Sequence, residues 1–261
     1  MSNNIHATAI VSPGASLGTG NTIGPFAVIE DDVIIGNDNH IAAHAVLKQK
    51  TRIGDNNTLA EHVVLGGLPQ DLSFAEKPTF VEIGHSNVLR EGVTVNRATK
   101  ENEATRLGDE NYLMALVHIG HDCQLGNRIV IAPGSGMGGH VHIADRAFIS
   151  GGVMVHQFVH IGRFAMIGGN TKITQDTLPF MLTDGNPAIV RGLNIVGLKR
   201  GGFCLDDIRS LKQAYQTLFR STVSLEGRLE QIKGLANVYT EELAQFISTS
   251  HRGFHREKVD D

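Results

Sequence analysis

Residues 113–142 read LMALVHIGHDCQLGNRIVIAPGSGMGGHVH, and two patterns overlap in them. An aliphatic residue returns every six positions, at Leu113, Ile119, Leu125, Ile131 and Met137, while His118, His121, Asp122, His140 and His142 stand off that beat. A period of six fits neither the 3.6-residue repeat of a helix nor unbroken alternation. Hexapeptide repetition is the signature of a parallel β-helix.

The beat extends both ways from this stretch. It runs from Ile5 through Val11, Leu17, Ile23, Ile29, Ile35, Ile41, Leu47, Ile53 and Leu59 to Leu65, resumes at Ile83, Leu89, Val95 and Leu107, and continues beyond Met137 to Ile173. Glycine often follows the aliphatic residue, as at Gly18, Gly54, Gly120 and Gly162, and the fourth residue after it is small or polar. Each unit therefore reads as a short strand and a turn. Three units close one triangular coil, so residues 18 apart stack in columns at the strand spacing of ~4.8 Å. The aliphatic residue points inward, where each buried side chain contributes roughly 1.5 to 3 kcal/mol. Periodicity does not set the hand; the hexapeptide class that the pattern resembles is left-handed, an exception to the usual crossover rule, and it packs as trimers.

The expected division is a β-helix over residues 1–190 and a small C-terminal α-helical domain over 191–261. Two polar stretches, GGLPQDLSFAEKPTF (66–80) and ATKENEATR (98–106), interrupt the beat and read as loops carrying binding groups from a rigid scaffold. From Thr174 prolines and glycines mark a connector. The segment DDIRSLKQAYQTLFRS then places Ile208, Leu211, Ala214, Tyr215 and Leu218 on one helical face, with Asp206 or Asp207 as N-cap. Two shorter helices are expected near 224–236 and 239–250.

With 30 glycines, no tryptophan and 5% aromatic residues, the core must be aliphatic. A net charge of -4 gives no global reason to expect nucleic acid. Two cysteines, Cys123 and Cys204, form no disulfide framework and suit a reducing compartment. The N-terminal residues lack signal-peptide character and no apolar run reaches membrane-spanning length, so a cytoplasmic protein without an integral membrane segment is expected. Lys199, Arg200, Arg209, Lys212 and Arg220 gather as a basic cluster, read either as a solvated helix face or as a dock for an acidic partner or phosphate.

His121 falls two residues after Ile119 and His118 just before it, so both face outward. Gly139 lies 18 residues after His121, one coil away in the same column, where its amide is a candidate oxyanion donor. A general base needs an orienting partner, and Asp122 supplies a carboxylate. Adjacency alone does not turn it toward His121, because neighbours on a strand point apart. Cys123 reads as a core filler rather than a nucleophile. A metal site is the rival chemistry, with His118, His121, His140, His142, His156 and His160 as possible imidazole ligands. The HxxxxH spacing of zinc-binding hexapeptide hydratases is absent, and the stacked His142 and His160 lack a third partner, so no metal is expected.

The motifs HIGHDCQLGN, MGGHVHI, GGVMVHQF, IGGN, GNPA and GLNIVGLKR, in this order and with the PQDL loop, resemble the UDP-N-acetylglucosamine 3-O-acyltransferase family of lipid A synthesis. The resemblance covers essentially the whole chain. It implies transfer of an R-3-hydroxyacyl group from acyl carrier protein, which brings its own phosphopantetheine, with no resident cofactor. His121 would be general base, Asp122 its assistant and Gly139 the oxyanion donor. Asp71, His118, His140, His156, Gln157, Asn194 and Arg200 match residues that hold the sugar nucleotide or donor arm, and Gly169 the position that limits acyl length. The chain departs from the family pattern at Ser73, Pro133, Gly134 and Gly201. A 3-amino acceptor, a non-catalytic sugar-nucleotide binder and a zinc-dependent hydratase stay open at this level.

Overall fold

The computed structural model describes residues 2–257. Its 28 strands, mostly two residues long, form three sheets of 11, 9 and 8 strands, parallel except for the last pair of the first, that make the faces of a triangular prism. Consecutive strands of the chain pass from one face to the next. The first face begins at Asn4–Ile5, the second at Ile10–Val11 and the third at Ser16–Leu17.

Register follows the beat. Asn4 pairs with Thr22, and Tyr112 with Val130, each 18 residues on. Where a loop leaves the coil the step lengthens by whole hexads: Thr58 pairs with Val88 and Val88 with Tyr112, intervals of 30 and 24 residues. Both insertions therefore leave the inward ladder in phase. In strand after strand the second residue is buried and the first is not, as at Val46–Leu47 and His118–Ile119. The buried members form one continuous core from Ile23 to Ile173.

The loops are shorter than the sequence suggests. Gly66 and Gly67 finish the strand Val64–Gly67, and Phe80 opens Phe80–Ile83, which leaves 68–79. Ala104, Thr105 and Arg106 pair with Phe80, Val81 and Glu82, so the second loop spans only 97–103. Stacking the bases of the two loops on each other supplies partners for backbone groups that would otherwise be bare.

A buried ladder of asparagines runs inside one corner. Asn39, Asn57 and Asn87 each donate a side-chain N–H to the Oδ1 of the asparagine one coil below, Asn21, Asn39 and Asn57, at 3.0–3.1 Å. Their backbone amides use the same oxygens at 2.9 Å. Every polar group of this internal column thus has a partner, which is what permits its burial.

Beyond the coil, strands Met181–Asp184 and Ile189–Leu193 pair antiparallel and close the first sheet. Four helices follow: α1 (Ile195–Arg200), α2 (Leu205–Arg220), α3 (Leu225–Lys233) and α4 (Val238–Thr249). Leu211, Ala214, Tyr215 and Leu218 of α2 are buried as their spacing requires, whereas Ile208 is half-buried. The N-cap of α2 is Cys204 rather than Asp206 or Asp207. Its sulfur accepts the Asp207 N–H while the Asp207 carboxylate accepts the Cys204 N–H, a capping box that starts the helix at Leu205, two residues earlier than a cap at Asp206 would. The end of the chain returns to the coil, where Asp176 N–H donates to Gly253 O and Val190 N–H to Arg256 O, both at 2.9 Å. His255 is buried there and accepts the Gln175 N–H on Nε2.

Replacing Asn57 by alanine strands the Asn87 donors in the interior. A loss of about 1–3 kcal/mol is expected, measured as a lower denaturant midpoint with unchanged far-ultraviolet circular dichroism. Burial pushes the His255 imidazole below its ordinary value of 6.5. The unfolded chain then takes up that proton first, so stability is complete above about pH 6.5 and declines as pH falls through it. His255→Gln is expected to flatten that part of the melting temperature against pH curve.

Candidate active site

The corner between the second and third faces is a column of turns whose second residues, Asp122, His140 and Phe158, all have left-handed backbone, with φ of 60°, 59° and 64°. This conformation decides what adjacency left open. A strand would send Asp122 away from His121, but the turn folds its carboxylate back, and His121 Nδ1 lies 2.8 Å from Asp122 Oδ2. With Nδ1–H donating to the carboxylate, the lone pair is on Nε2.

Gly139 stands where the column predicts. A Cβ built on it would fall 2.6 Å from His121 Nε2, so only glycine lets the backbone come this close to the ring. His140 stacks on Phe158 at 4.5 Å, meets His121 edge-on at 5.3 Å, and brings its Nε2 to 3.4 Å from Asp122 Oδ2. On the neighbouring strand His118 Nδ1 is 2.8 Å from Thr94 Oγ1.

These groups open on a hollow of about 450 Å³ whose wall includes His118, His121, Gly139, Met154, His156 and Gln157, with Gln70 and Asn96 on its loop side. Burial lowers the pKa of His118, and the neighbouring His121 imidazole acts in the same direction. Burial likewise lowers that of His140 against the pull of Asp122. For Asp122 burial acts in the opposite sense, yet hydrogen bonds from His121 and Thr99 outweigh it and hold the carboxyl below the ordinary aspartate value. Asp71 is held low chiefly by hydrogen bonds from Ser73, at 2.8 Å from N–H and 2.7 Å from Oγ, and to a lesser degree by the His121 and His140 rings. Burial pushes the Cys123 thiol up to about 12, and its sulfur donates to Gly138 O, so it is no nucleophile.

Asn194 and Arg200 are elsewhere. They line a second hollow of about 440 Å³, on the first face, with Phe148, Met166, Leu182, Leu193 and Val196. Asn194 caps α1, accepting the Gly197 N–H at 3.0 Å and donating to Phe164 O at 2.9 Å. Gly201 ends α1 against the Phe164 ring, where a Cβ would lie 2.7 Å from Cζ, so any side chain at this departure from the family pattern would require the ring to move. Gly169 is exposed near the end of the coil, and a Cβ there would approach nothing nearer than Gly151 O at 3.5 Å. Of the basic cluster, Arg209 pairs with Asp206 at 2.9 Å and Arg220 with Glu257 at 3.7 Å.

Among the described residues, His121, Asp122 and His140 also form the group whose possible ligand atoms lie within 4.8 Å of one another. A cation could use them only by displacing the imidazole–carboxylate contacts just described. Sequence reasoning missed Gln70, Asn96, Thr94 and Thr99. Thr94 stacks on His118 at an interval of 24, and Thr99 reaches Asp122 across 23, neither of which is the column spacing of 18. Only the six-residue lengthening of that coil, once recognised, would have aligned Thr94.

A family model described as domain 2 of UDP-N-acetylglucosamine O-acyltransferase matches residues 176–255, and the bacterial transferase hexapeptide model matches 14–49 and 32–67. A relative from Alkalilimnicola ehrlichii, an acyl-carrier-protein-dependent UDP-N-acetylglucosamine O-acyltransferase, is 52% identical over 255 residues, covering 97% of this chain and 99% of its own. The enzyme of the same name from a Janthinobacterium species is 46% identical at the same coverage. The solved UDP-N-acetylglucosamine acyltransferase of Francisella novicida superposes with a TM-score of 0.94 at 34% identity, covering 97% of this chain and 94% of that one. A solved Acinetobacter baumannii protein gives 0.93 at 36% identity, covering 97% and 99%. The coil is left-handed, as in these transferases. Matched along nearly the whole of both chains in sequence and in fold, the chain belongs to the UDP-N-acetylglucosamine O-acyltransferase family.

Proposed function

We propose that the protein transfers an R-3-hydroxyacyl chain from acyl carrier protein to the 3-hydroxyl of UDP-N-acetylglucosamine, the first step of lipid A synthesis. The observation that carries this reading is His121, held 2.8 Å from the Asp122 carboxylate and lining one hollow together with the Gly139 backbone. His121 Nε2 takes the proton of the sugar hydroxyl as its oxygen adds to the thioester carbonyl carbon. The tetrahedral oxyanion is stabilised by the Gly139 N–H. Collapse breaks the carbon–sulfur bond, and the leaving phosphopantetheine thiolate takes the proton back from the imidazolium. The pantetheine arm arrives with the donor, so neither a resident cofactor nor a metal enters the scheme.

In this reading Asp71, His118, His140, His156 and Gln157 hold substrate around the base. Asn194 and Arg200 lie on a different face of the same prism, so they reach that substrate from a neighbouring copy. A homotrimer with three sites between its subunits meets this requirement. The basic residues of α1 and α2 steer the acidic carrier protein. The place of action is the cytoplasm, consistent with the finding that no helix among the described residues is long and apolar enough to cross a membrane.

Chelator-treated protein given UDP-N-acetylglucosamine and 3-hydroxyacyl carrier proteins of graded length is expected to yield acylated sugar by mass spectrometry. His121→Ala is expected to reduce turnover by about 10²- to 10⁴-fold without loss of β-sheet signal; a near-normal rate would remove His121 as the base. Product only with a 3-amino sugar nucleotide would reassign the acceptor. Because a Cβ at Gly169 meets only ordinary contacts, Gly169→Met is expected to fold and to shift the preferred acyl chain to a shorter length. An unchanged length profile would refute that assignment.

A further inference from the structure

The Asp122 carboxylate has more partners than the base it serves. Thr99 N–H donates to Oδ1 at 2.9 Å and Thr99 Oγ1 donates to Oδ2 at 2.7 Å. Oδ2 also faces His121 Nδ1 at 2.8 Å and His140 Nε2 at 3.4 Å. The Asp122 backbone N–H in turn donates to the buried Thr105 Oγ1 at 2.8 Å, which fixes the left-handed turn from behind.

Thr99 is itself held. It sits in the loop 97–103, whose Arg97 N–H donates to Gly67 O at 2.8 Å and whose Asn102 N–H donates to Pro78 O at 2.7 Å. Ala98 before it is fully buried, and Arg97 forks onto Glu76 of the other loop at 2.9 and 3.2 Å. The loop therefore brings a rigid pair of donors to a carboxylate that accepts only.

We propose that Thr99 is a positioning residue for the acyl transfer, clamping the Asp122 carboxylate so that Oδ2 is aimed at His121 Nδ1 and His121 keeps its free lone pair on Nε2. This rests on the reading of His121 as base given above. Without the clamp the carboxylate can rotate about its terminal bond toward His140, which competes for the same oxygen. Donors to a carboxylate also favour its charged form. Removing the hydroxyl lets burial act with less opposition, and the Asp122 pKa rises.

The test is a double-mutant cycle on the intact protein. Thr99→Val keeps the backbone N–H and the shape but removes the hydroxyl. It is expected to lower kcat roughly ten- to hundredfold and to leave KM for the nucleotide sugar within about twofold. Thr99→Ser restores the hydroxyl and is expected to bring the rate back toward wild type. In an Asp122→Ala background, Thr99→Val is expected to cost less than about twofold, because its target is gone. Should Thr99→Val misfold, Thr99→Ala serves in the same cycle. An unchanged kcat in Thr99→Val overturns the proposal, as does a loss that Thr99→Ser shares or that persists in full without Asp122. Absence of transfer by the wild-type protein would instead overturn the proposed reaction itself.

Discussion

Each strand of this molecule is too short to stand alone, and it holds its place only because the strand one coil away presents the same residue at the same height. The inward aliphatic ladder is the constraint that enforces this. It runs unbroken from Ile23 to Ile173, and any shift of phase would turn its buried side chains out of the core. The two loops respect it, since both lengthen their coils by a multiple of six and hand the chain back in register. The asparagine column reinforces it from inside one corner, where each side chain ties one turn to the next.

A scaffold of this kind fixes backbone positions tightly and leaves its corners for chemistry. At the corner that carries His121, Asp122, His140 and Phe158 occupy the left-handed position of successive turns, so their side chains fan out from one column. The three polar members form a short electrostatic chain in which one carboxylate lies between two imidazoles. Burial works against charge on every one of the shifted members, lowering His118 and His140 and tending to raise Asp122. The carboxylate stays ionised because donors converge on it, and two of those donors come from a loop rather than from the coil.

The separation of the two hollows follows from the same geometry. The first and second faces of a triangular prism look in different directions, so residues of α1 cannot share a space with His121 inside one chain. A site that uses both needs two copies side by side. The tail helices pack on the end of the coil through Leu178, Met181 and Val190, and α1 lies beside Phe148, Met166 and Leu182 of the first face.

The sequence by itself determined the repeat, and with it the three faces, the inward core and the stacking of Gly139 on His121, because a strict period acts through steric fit alone and is visible wherever it runs. It also determined the buried face of α2, through ordinary helical spacing. Tertiary structure decided what the period does not reach. Asp122 turns toward His121 because of a backbone angle that no neighbouring residue advertises. Thr94 and Thr99 come to their partners at intervals of 24 and 23, set by how far a loop lengthens its coil. Cys204 displaced two aspartates as the cap of α2, since a cap depends on where the incoming chain points. Asn194 and Arg200 were placed on another face, because direction around a prism is a property of the closed coil and not of any one hexad.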